Sequence, residues 1–495
     1  MTKDLGPNLL YIHSDQHNPY VTGCYGDGVV QTPALDRLAA EGALFSNAYC
    51  PSPICVPSRM STLAGQHPHR THVWTNDHCL SSGIPTFAHA LGAAGYRPVL
   101  IGRMHAMGPD QLHGYAERLV GDHSTNYVGG TGVRRGLPPG TAGPHRISLE
   151  ASGAGRSGYQ VHDEAVIASA LAFIDGQGRA AGNDPGRAPF CLTVGLMLPH
   201  PPYVAEPADF RLYEGRVPPP RIPAPPLETL HPHIRWRMAR GEILETDPDD
   251  VARARAAYWA LVSRMDRMIG QLLDALDANG LAQNTLVVYS SDHGDSLGER
   301  GLWWKHTFYE ESVKVPLIAR WPGRIAPGQQ SDRVVSSLDL TATLVDALEA
   351  PALPNTQGRS LLPLLEGVED ADWDDLAFSE YCDDLFGPPG GCYQRMVRRG
   401  DWKLIVYHGE PSQLFNLAED PDEVHDRAAD PACRDIVEEL AHSVHADWDP
   451  IQVIAEMRRI RADNKVLADW TKAVQPVEQI RWELTPEMEY LASEM

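Results

Sequence analysis

Cys55 is followed by Val56, Pro57, Ser58 and Arg59, with Pro53-Ile54 just before it and Leu63, Gly65 and Arg70 downstream. A proline is well tolerated in the first turn of a helix, where the N–H it lacks has no partner anyway. Pro57 therefore predicts a helix running toward Ala64 with Cys55 at its start. That position lies in the positive field of a helix N-terminus, beside donor amides. The field suits a thiolate, and equally an anion bound next to it. Two distant apolar runs each end in candidate metal ligands: residues 8–12 lead to Asp15, and residues 285–289 lead to Asp292-His293.

Side chains at the C-terminal ends of parallel strands point into a common crevice. Asp15 and Asp292 would offer carboxylate oxygens there, the donors that Ca²⁺, Mg²⁺ or Mn²⁺ take. His293 adds a nitrogen, which moves the balance somewhat toward Mn²⁺. An unmodified thiol at Cys55 would be a weak ligand for a hard cation. Three more segments bring polar groups: Gly102-Arg103-Met104-His105, Pro199-His200-Pro201-Pro202-Tyr203 after a strand, and Trp303-Trp304-Lys305 after a glycine-flanked turn. Each alone is better explained as a turn aspartate or a capped histidine; together they point to a site. Asp295, Trp74, Asn76 and Asp77 are weighed as pocket residues and left unassigned.

The elements that must position these groups alternate. Strands are predicted over 8–13, 97–101, 190–197, 285–289 and 315–320, and helices over 32–41, 85–94, 162–177, 249–278 and 339–348. Strand–helix alternation with continuously apolar strands predicts an α/β fold, a large mostly parallel sheet covered by helices on both faces. Two stretches break the pattern and are expected as long surface loops, the Gly/Ser/Arg-rich 121–157 and the proline-rich 213–233. Beyond residue 350 the texture changes to short strands over 376–381, 393–398 and 402–407, then a helix near 435–447. The expected organisation is a catalytic α/β domain over 1–350, a smaller C-terminal α+β domain over 351–448, and a helical segment and tail over 449–495.

The chain has 495 residues, 43% hydrophobic and 22% charged, ordinary values for a globular protein long enough for more than one domain. Its formal net charge of −23 argues against nucleic acid or an anionic membrane as partner. An anionic substrate would need local positive charge, for which Arg59, Arg103, Lys305 and the metal are the candidates. No run reaches the length of a membrane span, and no leader-like stretch precedes the first strand. The eight cysteines are scattered and form no CxxC pair. Free thiols in a reducing, cytoplasmic setting are expected, all but Cys55 as small buried apolar residues.

The segment from Cys55 to Arg59 resembles the C-x-P-S-R motif of the type I sulfatase family, part of the alkaline phosphatase superfamily, whose nucleophile is a formylglycine made from that cysteine. Asp15, Asp292-His293, Gly102–His105 and the segment at Lys305 resemble its other site segments, with Gln16 and His293 standing at positions where many members carry Asp and Asn, and Arg103 for the usual lysine. Residues 84–89, 107–114 and 297–303 look particularly like choline sulfatases. Trp482-Glu483-Leu484-Thr485-Pro486 is similar to their tail, which reaches a neighbouring subunit.

The resemblance implies an alkaline phosphatase/sulfatase-like fold, a homo-oligomer, and a maturation enzyme that converts Cys55 to formylglycine. It implies one divalent cation, Ca²⁺ before Mn²⁺ or Mg²⁺, bound by Asp15, Asp292, His293 and the modified Cys55. Arg59 would order the nucleophile, Arg103 would hold sulfate oxygens, His105 would deprotonate the spare hydroxyl, and His200 and Lys305 would serve the leaving oxygen. A hydrated aldehyde gives this chemistry a reason: one geminal hydroxyl attacks sulfur and the other collapses to expel sulfate, where a serine could perform only the first half. The substrate would be a small-molecule sulfate ester. A choline site needs an aromatic cage, and the stretch after Gly121 offers Tyr127 but no tryptophan, so aryl, alkyl and sugar sulfates stay equally open. Two competing readings remain: a phosphonate or phosphodiester hydrolase using the same pocket, and a binding protein whose Cys55 is never modified.

Overall fold

The computed structural model describes residues 6–183, 188–368, 372–385 and 387–492. Residues 1–5 and 493–495, at the outer ends of the first and last predicted segments, lie outside these. An eight-stranded sheet forms the centre. In spatial order its strands are Gln329–Ser336, Ala43–Tyr49, Leu317–Arg320, Thr285–Ser291, Asn8–Asp15, Phe190–Pro199, Arg97–Gly102 and Glu117–Val120. All pairs are parallel except the two made by Leu317–Arg320, which runs against both neighbours.

Asn8–Asp15, Phe190–Pro199 and Thr285–Ser291 are buried along their whole length. Strands covered on both faces have no polar face to show, which is why they read as unbroken apolar runs. Helix Pro248–Ala278 starts from Asp247, whose side chain accepts the Asp249 amide, with a proline in the first turn. From its middle, Asp266 accepts the amides of Ala34 and Leu35 at 3.0 and 2.8 Å and so caps the neighbouring helix Pro33–Ala40.

Three strands of this sheet were not foreseen. Ala43–Tyr49 carries Ser46 and Asn47, and Gln329–Ser336 opens on Gln-Gln-Ser-Asp-Arg. Glu117–Val120 is short and lies at an edge. None has an apolar run; pairing with a neighbour, not local composition, makes them strands. The stretch 121–157 contains helix Ile147–Glu150 and strand Gly153–Arg156, which pairs with Tyr490–Leu491 from the C-terminal tail. The tail is thus tied to its own chain near the site. Among the cysteines, all with free thiols, Cys79 is exposed and Cys24 half-buried, contrary to the expectation that each would be core.

The second sheet is an antiparallel meander of Leu376–Asp383, Cys392–Arg399, Trp402–Tyr407 and Gln413–Asn416. Alternation gives it two buried faces. Met396, Ile405 and Tyr407 join the main core, while Val397, Leu404 and Val406 form a second cluster with Leu440, Val444, Trp448, Val453 and Met457. Helix Pro450–Val474 therefore starts as part of this second cluster. Among the described residues no helix is long and apolar enough to cross a membrane.

Lys403 fastens the small sheet to the main body. Its buried ammonium donates to Glu310 at 2.9 Å, to the Phe308 carbonyl at 2.7 Å and to Glu423. Burial and the neighbouring carboxylates still leave the Glu423 carboxyl raised to about 7. Lys403→Met takes the nearest cation from two buried carboxylates, leaving Glu310 to Lys314 at 3.6 Å and Glu423 to Arg300 at 3.7 Å, and should cost about 3–5 kcal/mol of stability, read as a lower denaturant midpoint; a midpoint equal to wild type would contradict this.

Candidate active site

Asn8–Asp15 and Thr285–Ser291 are adjacent and parallel, with Ser14 paired to Ser291. The next residue on each strand, Asp15 and Asp292, must then lie side by side in the crevice beyond the strand ends. The Gln16 amide, at a positive φ of 66°, turns back to donate to Asp292 Oδ1 at 2.9 Å. The His293 amide donates to the same oxygen at 2.9 Å. Asp292 Oδ2 and the two oxygens of Asp15 are left to the cations and the metal site.

The helix Cys55–Ala64 begins at Cys55 itself, as Pro57 predicts, and ends at Gly65 in the left-handed conformation. The Val56 amide at its N-terminus donates to Asn76 Oδ1 at 3.0 Å, and Ser58 Oγ donates to the Asp292 carbonyl at 2.5 Å. One turn on, Arg59 is buried and its guanidinium makes four hydrogen bonds. It donates to Asp292 Oδ2 at 2.9 Å, to Asp15 Oδ2 at 3.2 Å, and to the carbonyls of Ser14 and Arg103 at 3.0 and 3.3 Å. This side chain fixes the helix to both carboxylate-bearing strands at once.

Cys55 Sγ lies 3.3 Å from His293 Nε2, 3.7 Å from Asp15 Oδ1 and 3.1 Å from Lys305 Nζ. One ligand atom from each of Asp15, Cys55, Asp292 and His293 falls within 4.8 Å of the others, all buried. His293 Nδ1 faces the Gly294 carbonyl at 3.0 Å. A carbonyl only accepts, so Nδ1 holds the proton and Nε2 presents its lone pair to the group of ligands, the usual device for orienting a metal-binding histidine. Two carboxylates, an imidazole nitrogen and residue 55 are a donor set that fits a divalent cation.

The cationic ring closes on the same point. Arg103 donates to Asp15, and its other arm reaches His105 Nδ1 at 2.8 Å. Its hydrogen bonds go to these two, with none to Cys55 among the described contacts. A guanidinium only donates, so His105 Nδ1 is the acceptor and the neutral ring carries its proton on Nε2. His200 is the reverse case: Nδ1 bonds the Pro201 carbonyl at 2.6 Å, and Nε2 accepts from Lys305 Nζ at 2.9 Å. Lys305 also donates to Gln16 Oε1 at 2.7 Å. All nine residues singled out from the sequence therefore converge on one point.

Electrostatics agree with the geometry. Burial would raise the Asp15 carboxyl, but Arg103, His200, Arg59 and Lys305 hold it well below the usual range. Burial and Asp15 push the Cys55 thiol up, while Lys305 and a hydrogen bond from His105 bring it down to about 5. Burial, with Lys305 for His200 and Arg103 for His105, lowers both histidines, which favours their neutral forms.

A cavity of about 440 Å³ opens onto Cys55. Asn76 and Asp77 line it; Trp74 does not, and packs in the second core cluster. Asp295 sits behind the site, accepting from Gln16 and Tyr203 at 2.6 and 2.7 Å. Gln16 was noted only as a departure, yet it links Asp292, Lys305 and Asp295. Asp122 was missed altogether: it accepts the His105 amide at 3.0 Å and pairs with Arg118. A lone Asp at the start of a glycine-rich stretch carries no signal of that role.

Arg103 uses both arms of a rigid fork, which a lysine can match only at one. Arg103→Lys should keep the fold and lower kcat/KM about 10- to 100-fold, the loss of one charged hydrogen bond; full activity in that variant would show the second arm to be idle.

The family described as Sulfatase matches residues 7–350, and that described as N-sulphoglucosamine sulphohydrolase, C-terminal, matches residues 298–448. The chain is 37% identical to the choline-sulfatase of Rhizobium meliloti (strain 1021) over 86% of its own length and 83% of the relative's. It is 29% identical to arylsulfatase K of Xenopus laevis over 94% and 90% of the two chains. The crystal structure of phosphonate monoester hydrolase of Agrobacterium radiobacter superposes with a TM-score of 0.73 at 23% identity, covering 89% of this chain and 95% of the other, a likeness of fold. With the family pattern spanning most of the chain, the protein is a sulfuric ester hydrolase and belongs to the sulfatase family.

Proposed function

We propose that the protein hydrolyses a small sulfate monoester to an alcohol and inorganic sulfate, using formylglycine made from Cys55 by a maturation enzyme and one divalent cation, Ca²⁺ before Mn²⁺ or Mg²⁺. The observation that carries this reading is the convergence of Asp15, Cys55, Asp292 and His293 at the start of one helix. Asp15, Asp292, His293 and residue 55 would hold the cation, which when bound neutralises sulfate oxygens and favours the ionised form of the attacking hydroxyl. The hydrated aldehyde supplies two hydroxyls at the position now marked by Cys55 Sγ, one to bond sulfur and one whose loss of a proton releases sulfate.

The remaining residues divide the work around that point. Arg59 sets the helix that starts at Cys55 against both carboxylates, with four hydrogen bonds to them and to backbone carbonyls. Lys305 Nζ, held beside residue 55 by the accepting His200 Nε2, is placed to supply a proton to the departing oxygen. His105, with its proton on Nε2, supports an oxygen at residue 55 as a donor. It can act as the base for the spare hydroxyl only when Arg103 leaves Nδ1, as it would on turning to the sulfate. The proposed assembly into a homo-oligomer rests on the tail resemblance alone.

The phosphonate hydrolase reading has its own support, the superposition with phosphonate monoester hydrolase. Paired rates on 4-nitrophenyl sulfate and 4-nitrophenyl phenylphosphonate separate the two: the sulfate should have the higher kcat/KM, and the opposite order would favour the alternative. Asp292→Ala should lower kcat/KM on the sulfate by at least about 100-fold by emptying the cation site, and undiminished activity in excess chelator would contradict a metal role. Cys55→Ser should release no sulfate in the steady state; sustained turnover by it would exclude the aldehyde chemistry.

A further inference from the structure

The cavity wall also carries two guanidinium groups that the chemistry above does not use. Arg237 and Arg240 lie one turn apart on helix Pro232–Arg240 and both line the cavity that opens on Cys55. Arg237 is 6% exposed. Its Nη2 donates to His306 Nδ1 and more distantly, at 3.5 Å, to the Lys305 carbonyl. Its Nε is buried with no hydrogen-bond partner. Arg240 is exposed at the rim. Among the described residues neither forms an ion pair with a carboxylate. The Asp383 carboxylate supports the Arg237 charge only through space, against the cost of burial. A buried guanidinium with no anion in direct contact is costly, and a site that keeps one has a use for it.

From these residues we propose that the alcohol half of the substrate carries its own anionic group, a carboxylate or a second sulfate, bound by Arg237 and Arg240. The inference rests on the sulfatase reading and narrows it. The sulfate being cleaved takes the groups at Arg103 and Lys305, which leaves Arg237 and Arg240 for a second anion in the same cavity. Planar, bidentate binding of carboxylate or sulfate is what guanidinium groups do best.

The same wall argues against a quaternary ammonium. Such a cation needs open aromatic faces. Only two lining residues are large aromatics, Tyr159 and Tyr381. Arg135 already covers Tyr159 at 5.2 Å, with His123 and His200 against the same ring. His306 packs on Tyr381 at 5.2 Å. Tyr127, the aromatic offered by the sequence, is outside the cavity and packs on Trp470. Two carboxylates also line the cavity. Asp383 accepts from Tyr381 and from the Leu385 amide at 3.3 and 2.9 Å. Burial, with Asp383 nearby, raises the Asp77 carboxyl toward its neutral form.

The test uses full-length protein with the aldehyde at residue 55 verified by mass. Its substrates are 4-sulfooxybenzoate, the methyl ester of that compound, and choline sulfate. The first two share a scaffold, and the carboxylate makes the poorer leaving group, so any preference for it must come from binding. We expect kcat/KM to favour the carboxylate over its methyl ester by about tenfold or more, the scale of one charge-assisted hydrogen bond. We expect Arg240→Gln and Arg237→Gln each to bring the ratio toward one and Arg237→Lys to retain part of it. The ratio is internal to each variant, so a general loss of activity does not affect it, and Arg240, being exposed, tests the idea without risk to the fold. A wild-type ratio of one or less, a ratio unmoved by both glutamine variants, or a preference for choline sulfate over both aryl esters would overturn the proposal while leaving the sulfatase reading intact. Release of sulfate from none of the three would instead sink that reading, and this inference with it.

Discussion

One buried guanidinium holds the site together. Arg59 lies between Asp15 and Asp292, bonded to both, and reaches two backbone carbonyls besides. Two carboxylates at the ends of adjacent strands would repel one another in a low-dielectric crevice. The cation between them on the protein side lets both stay ionised, and a metal on the open side would complete the balance. The same side chain is one turn into the nucleophile helix, so the charge pairing also fixes the height and rotation of residue 55. Arg103 shares the hold on Asp15, while Arg59 couples that charge to the position of residue 55, and a lysine, with one nitrogen, could not replace it.

Around that contact the supporting shell works by settling which atom holds a proton. The Gly294 carbonyl gives His293 its lone pair at Nε2, Arg103 gives His105 its proton there, and the Pro201 carbonyl leaves His200 able to accept from Lys305. Gln16 joins two of these parts, since its amide orients Asp292 and its side chain bridges Lys305 and Asp295. Part of the cavity beyond is lined by the 121–157 stretch, through His123, Ser124 and residues 142–145. The C-terminal tail pins this stretch, where Glu489 accepts from Arg135 and the Gly136 amide, and the Trp482 amide bonds the Asp122 carbonyl.

Much of this was legible in the sequence because strong local rules agreed. Strand ends carrying Asp15 and Asp292, and a proline and arginine after Cys55, mean little one at a time but agree when taken together. What stayed hidden depends on partners far away in the chain. The polar strands Ala43–Tyr49 and Gln329–Ser336 exist because they pair with each other. The reversed direction of Leu317–Arg320 follows from its neighbours, not from its own residues. Asp122 and Gln16 are ordinary residue types whose roles arise only from what faces them. The unpaired charge of Arg237 is likewise invisible until the cavity is assembled.

The account turns on what residue 55 is in the working protein. Mass spectrometry of the peptide containing it, on preparations of differing specific activity, tests this most directly. Conversion to formylglycine lowers the peptide mass by about 18 Da, the form needed for nucleophilic catalysis, and activity should rise in proportion to the converted fraction. Full activity in protein that keeps an intact thiol at this position would contradict it.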